Sequence, residues 1–149
     1  MDERFLGTGM KFPPQINPTT GRFTTVSGKE SIRESIYLIL MTQKRERFMN
    51  PEYGSNIMSY TFASTDATLQ TVMAAEITSD ILRCEPRVED VQISMDADSK
   101  PGCLFINIDY TVIAEGTKDN MVFPFYLNGE TEEESETYET MDNDIAEQI

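Results

Sequence analysis

The 149-residue sequence predicts an α+β fold in which two main helices pack on one face of a small antiparallel sheet. Three observations point there. Apolar residues recur at helical spacing behind residue 30 and again over 67–84. They alternate with polar residues in the segments that follow. A proline, Pro86, separates the helical part from the strand part. The length suits one domain, with about 68–70% of the unfolded surface buried.

Residues 7–20 are rich in Gly, Pro and Asn and read as an extended amino-terminal arm. Arg22, Phe23, Thr24, Thr25 and Val26 have the β-branched and aromatic content of a short strand. Ser27-Gly28-Lys29-Glu30 is a capping-box pattern, in which the serine hydroxyl and the glutamate carboxylate each satisfy one orphan amide. Behind it Ile32, Ile36, Ile39 and Leu40 form one apolar stripe, which predicts a helix to about Thr42. The pattern then breaks. Lys44, Arg45, Glu46 and Arg47 form a charged cluster, and Asn50-Pro51-Glu52-Tyr53-Gly54 has the composition of a turn. The second helix starts near Ser64, Thr65 or Asp66, any of which can cap it. Leu69, Val72, Met73, Ile77 and Ile81 make its buried face. Pro86 stops it, because proline lacks an amide hydrogen and turns the preceding residue out of the helical region.

Three strands follow. Val91, Ile93 and Met95 alternate with Gln92 and Ser94, and residues 96–102 turn the chain. Leu104, Ile106, Ile108, Tyr110 and Val112 point one way, with Asn107, Asp109 and Thr111 opposite. A turn over 115–120 leads into the last strand, 121–127. Pro124 removes a ladder hydrogen bond from its middle, so this strand belongs at a sheet edge.

Composition narrows the chemistry. The chain has no histidine, which excludes Ser-His-Asp triads, Cys-His dyads and His-based zinc sites. Cys84 and Cys103 are expected as reduced, partly buried thiols. No run of about 18 apolar residues is present to span a membrane. The first residues lack the basic start and apolar run of a secretion signal, which suits a cytoplasmic protein. The net charge is −14, and it is unevenly spread. Residues 130–149 hold nine of the 26 acids and none of the 12 bases, so residues 1–129 carry 17 acids against 12 bases, a net −5. Neither part offers the positive field that a nucleic-acid backbone requires. The sequence thus divides into a domain over 1–129 and an acidic C-terminal tail over 130–149. Tyr138, Met141, Ile145 and Ile149 fall on one helical face of that tail, but its charge outweighs its apolar area. It is expected to be disordered alone or ordered by a partner.

No candidate catalytic or cofactor motif survives inspection. Residues 96–102 begin like a calcium loop, yet Lys100 occupies the fifth position and Asn107 the place of the bidentate Glu, so a hairpin turn fits better. Gly7-Thr8-Gly9 has no preceding strand and no third glycine, unlike a phosphate loop. Sugar hydrolysis needs two carboxyl groups about 5–9.5 Å apart, one with a raised pKa, and nothing singles out such a pair. No cofactor and no metal are expected. Glu85-Pro86-Arg87 stands out by position instead. It sets two opposite charges at a rigid helix-to-sheet corner, fit to clamp internally or to dock another chain.

Taken in order, these motifs resemble the baseplate wedge family of contractile phage tails and contractile injection systems, whose members often carry a lysozyme-like label. The likeness runs over about residues 9–129. Phe12-Pro13 matches the family's Phe-Pro element, and residues 27–33 match its Ser-Gly-x-Glu-x-Ile-Arg run into the first helix. Leu40, Thr42, Glu46 and Arg47 match a Leu-x-Thr-x-x-Gly-Glu-Arg segment in which Arg45 replaces the glycine. Pro51 and Gly54 match the Pro-x-x-Gly turn, Glu85 to Arg87 the Glu-Pro-Arg corner, and residues 120–129 the closing strand.

The resemblance implies a structural, non-enzymatic component of a baseplate, assembled in a bacterial cytoplasm. In it Glu85, Pro86 and Arg87, supported by Glu46 and Arg47, grip a helical core bundle made by other wedge subunits. The sheet resembles the partner-binding domain of the sheath protein. Val122, Phe123, Pro124, Phe125, Tyr126 and Leu127 would then form the sheath-facing edge strand and template the first sheath ring. The family's label also suggests the alternative of a peptidoglycan hydrolase.

Overall fold

A computed structural model describes residues 3–63 and 66–127. The amino-terminal segment does not extend away as an arm. After a short 3-10 turn (Glu3–Leu6), Thr8–Met10 (β1) pairs antiparallel with Thr25–Ser27 (β2). Between them Lys11 N bonds Thr24 O, Thr24 N bonds Gln15 O, and Asn17 N bonds Arg22 O, closing an irregular hairpin. The predicted strand at 22–26 is therefore shifted toward Ser27. What folds the segment back is the first helix. Lys11 Nζ lies 3.3 Å from Glu30 and 3.8 Å from Glu34, the Phe12 amide donates to Glu34, and the Phe12 and Tyr37 rings meet at 6.0 Å.

Gly28–Met41 (α1) buries Ile32, Ile36, Ile39 and Leu40 completely, the stripe that its spacing predicts. Ser27 is the N-cap residue with extended backbone angles, but its hydroxyl makes no capping bond. The expected capping box is absent because Glu30 turns outward to Lys11. Ala67–Cys84 (α2) is capped by Asp66, whose carboxylate accepts from the Leu69 amide at 3.2 Å. Ser64 and Thr65, the other cap candidates, lie outside the described residues. Met73, Ile77 and Ile81 are buried and Leu69 is partly so, whereas Val72 is nearly half exposed. The helix lies mainly over one strand, which covers a narrower stripe than the sequence suggests.

Val88–Lys100 (β3), Cys103–Val112 (β4) and Thr117–Tyr126 (β5) form an antiparallel sheet in the order β3-β4-β5. The strands outrun the predicted turns, because backbone pairing continues beyond the last apolar side chain. The register slips between Glu89 and Gln92, where Asp90 takes a φ of 51°. That irregularity lets Val88 and Val91, three residues apart, both face the core. Leu104, Ile106, Ile108, Tyr110 and Val112 are all buried, as alternation requires. β5 is an edge strand, as Pro124 demands. Cys103 is buried and Cys84 half-buried.

α1 runs alongside β5 in the same direction. Lys29 pairs with Glu115 at 3.4 Å, Arg33 with Asp119, and the Tyr37 ring meets Phe123 at 5.7 Å. The Tyr110 hydroxyl donates to Asp119 as well, so one carboxylate joins α1, β4 and β5. Among the described residues no helix is long and apolar enough to cross a membrane. The acidic stretch 130–149 lies outside the described residues, with its Tyr138, Met141, Ile145 and Ile149, as do residues 128 and 129 of the expected domain.

Candidate interaction site

α2 ends on Glu85, whose amide still donates to Ile81 O at 2.8 Å while its backbone (φ −119°, ψ 94°) is already extended. The following proline imposes that conformation. Pro86 is exposed. Arg87 then folds back on Glu85, Nε donating to Oε1 and Nη2 to Oε2, both at 2.7 Å. Its Nη1 donates to Leu6 O at 3.0 Å and to Ser31 Oγ at 3.4 Å, and its carbonyl accepts from the Ile113 amide. A single guanidinium thus ties the amino-terminal turn, α1 and α2 together.

The Glu85 side chain is 2% exposed and that of Arg87 28%. Burial pushes the Glu85 carboxyl up, but hydrogen bonds from Arg87 and Ser35 outweigh it and hold the group below its usual range. The bond to Glu85 makes the Arg87 guanidinium hold its proton more tightly still. Both of these candidate groups are spent on each other, and what the corner shows outward is Pro86 and part of the Arg87 side chain.

Glu46 and Arg47 lie in the loop between α1 and the 3-10 turn Ile57–Tyr60. Arg45 has a φ of 71°, a left-handed conformation that favours glycine. Its amide donates to Pro51 O at 2.7 Å. At Gly54 (φ 112°) a Cβ would stand 2.3 Å from Thr42 O, so only glycine fits. Ser55 N bonds Thr42 O and Ser55 Oγ bonds Leu40 O, closing the loop's base. Glu46 turns its carboxylate back to the Gln43 amide at 2.9 Å. Arg47 lies 3.8 Å from the Tyr53 ring centroid. Burial pushes the Tyr53 phenol up, Arg47 draws it down, and the charges of Cys84 and Glu85 add to the rise. Tyr53 thus lies close enough to Glu85 to feel its charge, which sets the Arg47–Tyr53 stack near the corner.

α2 holds the same loop. Asp80, its side chain 3% exposed, takes Lys44 Nζ at 2.7 Å and Arg83 Nη2 at 3.0 Å, both on Oδ1. Arg83 also donates to Glu52 O at 2.8 Å and Gly54 O at 3.3 Å. Oδ2 of Asp80 is buried without a hydrogen-bond partner. Sequence reasoning missed Asp80, Arg83, Tyr53, Ser31 and Ser35. The i,i+3 spacing of Asp80 and Arg83 was an available signal. So were Ser31 and Ser35, one turn apart on an otherwise apolar helix flank.

The expected strand is the sheet edge, but Phe123 and Phe125 point into the core at 3% exposure, and of the expected β5 residues Val122, Pro124 and Tyr126 lie on the outer face of the sheet. Leu127 follows the strand and bonds Gly102 O. In the irregular end of β3, the Asp96 carboxylate accepts from the amides of Asp98 and Ser99 and from the Ser99 hydroxyl. Among the described residues no group of three or more His, Cys, Asp or Glu is set to hold a metal ion.

Residues 26–117, which include the corner and the loop, match the family described as baseplate wedge protein gp25. The chain belongs to that family. A Geobacter sulfurreducens protein provisionally called a tail lysozyme is 32% identical, with a TM-score of 0.65 over 74% of this chain and all of that one. The wedge fold is shared with a chain of the anti-feeding prophage baseplate, at 24% identity and a TM-score of 0.58 over 89% of this chain and 94% of that one. It is shared too with a chain of the type VI secretion baseplate complex, at 14% identity and a TM-score of 0.56 over 66% and 93%. No curated protein sequence matches the chain.

Proposed function

We propose that this wedge chain is a structural, non-enzymatic part of its baseplate, with the Glu85-Pro86-Arg87 corner gripping a helical core bundle built by other wedge subunits. The observation that carries this reading is the fork of Arg87 on a buried Glu85. It fixes an exposed proline and a partly exposed arginine side chain in one orientation, with the Arg47–Tyr53 stack near enough for Tyr53 to feel the Glu85 charge. Charged groups held this firmly set the register of a docked chain more than its affinity. The free margin of β5, with Val122, Pro124 and Tyr126 outward, offers unpaired backbone groups to extended arms of the sheath protein and so templates the first sheath ring. Residues 1–129 act as the wedge domain and 130–149 as a separate acidic tail. The subunit is assembled in a bacterial cytoplasm and works in the baseplate.

Arg87→Lys keeps the charge but loses the fork, and Arg47→Ala loses the stack. Both proteins are expected to fold by circular dichroism and to be missing from baseplates purified after co-expression with the neighbouring subunits. Normal incorporation of both variants would overturn the assignment.

The second reading, peptidoglycan hydrolysis, is favoured by the name of the Geobacter protein. The chemistry here speaks against it. A general acid needs a raised carboxyl pKa, whereas Glu85, Asp96 and Asp119 are all held below the usual range by hydrogen bonds. Steady release of fragments from purified peptidoglycan by the isolated protein would reverse this ranking.

A further inference from the structure

Four residues of α2 face away from the core at heptad spacing. Val72, Ala75, Ser79 and Leu82 are all exposed, Val72 and Leu82 each at 46%. The sequence pattern puts Val72 on the buried face, and the fold leaves it outside. Scattered exposed apolar residues are ordinary, but steps of three, four and three along one helix make a seam on which a second helix packs. Ala75 and Ser79 in its middle let a neighbouring axis approach to about 8 Å. Val72 and Leu82 close it at either end.

Beside the seam lies an open groove of about 630 Å³, with Ala75, Ser79 and Leu82 on one wall and Val91, Gln92 and Ile93 of β3 on the other. The surrounding charge is acidic. Glu76, Asp80, Glu89 and Asp90 stand against Lys44 and Arg83, and Glu89 and Asp90 are exposed where β3 leaves the corner. The seam also ends where the corner begins, since Leu82 lies three residues before Glu85. From Val72 to Leu82 it runs about 15 Å along the axis. That is too short to hold a partner alone, because a stable interface buries about 1,200–2,000 Å². Joined to the corner it makes one continuous surface.

We infer that the exposed face of α2 seats one helix of the partner gripped by the corner, a helix with apolar residues at heptad spacing and basic residues toward Glu89 and Asp90. This rests on the assembly role proposed for the corner. The corner sets the register of the docked helix, and the seam supplies apolar contact along its length. The spacing selects a helix as the occupant, because an extended segment presents its side chains in steps of two.

The test uses the full-length protein, free and in baseplates purified after co-expression with the neighbouring subunits. Ala75→Gln/Ser79→Gln adds bulk without charge at exposed positions and keeps good helix formers there. Its circular dichroism and thermal midpoint should match those of the native protein, while its incorporation falls several-fold. Glu89→Lys should also lower incorporation, and Ala75→Ser, which keeps the seam narrow, should not. Ala75→Cys and Ser79→Cys, located by mass spectrometry after maleimide labelling, should react in the free subunit and be shielded in the baseplate. Normal incorporation of the Gln and Lys variants beside loss of Arg87→Lys would overturn the inference and leave the corner standing. Loss of the Gln variant beside normal Arg87→Lys would keep the seam and remove the corner. Reactive thiols at both seam positions, with slowed hydrogen exchange only at residues 92–96, would overturn the inference by placing a strand on β3 instead.

Discussion

Glu85 and Asp80 stand five residues apart at the end of α2, each about 2% exposed and each facing an arginine. Glu85 gives one oxygen to each arm of the Arg87 fork and receives Ser35 besides. Asp80 crowds Lys44 and Arg83 onto one oxygen and leaves the other bare in the interior. The cost of a buried charge is recovered only when its full set of bonds is within reach. The corner meets that condition and joins segments 81 residues apart in sequence. The loop anchor meets half of it and holds one loop. Rigid orientation is built at the first place, and releasable bracing at the second.

Breaking the fork should do the most damage. Arg87→Ala strands a buried carboxylate, and denaturant unfolding should show a loss of about 3–5 kcal/mol; a loss under about 1 kcal/mol would cancel the distinction between the two sites. Acid should undo the same fork. The folded pKa of Glu85 lies below its ordinary value of 4.5, so its contribution is complete above about pH 4.5 and disappears as pH falls through the folded value. Stability measured against pH should therefore fall less steeply on the acid side in Glu85→Gln than in the native protein. Asp119 and Asp96, also depressed, contribute to the slope in both. Identical acid limbs would remove Glu85 from the account.

Asp80→Asn should cost less, about 1–2 kcal/mol, because Lys44 and Arg83 are 25% and 39% exposed and can turn to water. Hydrogen exchange should quicken over residues 43–55 and stay unchanged at residues 85–88. Quickening at both would mean that the two anchors form one unit. Arg45→Gly should have the smallest effect. It relieves about 1–2 kcal/mol of left-handed backbone strain and returns about 0.4–1 kcal/mol as freedom of the unfolded chain. The midpoint of thermal unfolding should rise slightly; a fall would show that the Arg45 side chain contributes a contact.

Much of this architecture was legible in the residues themselves. Ile32, Ile36, Ile39 and Leu40 gave α1, Leu104 to Val112 gave the central strand, and Pro124 gave its edge neighbour. These are period and proline effects, which act locally. The folded-back hairpin was not legible, because Lys11, Phe12, Glu30 and Glu34 meet only once the helix exists. The capping box misled for the same reason: Glu30 has two possible partners, and the tertiary one wins. At the site, position alone picked out Glu85 and Arg87. The sequence could not show that their charges would close on each other, nor that Arg47 would stack on Tyr53. Phe123 and Phe125 were assigned to the margin as part of a strand, although alternation sends them inward.

β3 is the other margin of the sheet, and its pairing is disturbed near both ends, leaving Gln92 to Asp96 as an unbroken stretch of five residues. Glu89, Asp90, Asp96 and Asp98 lie along it. A second copy sliding up to this strand would find little regular backbone to pair with and a row of like charges opposing it. This margin of the sheet therefore disfavours strand pairing with a second copy.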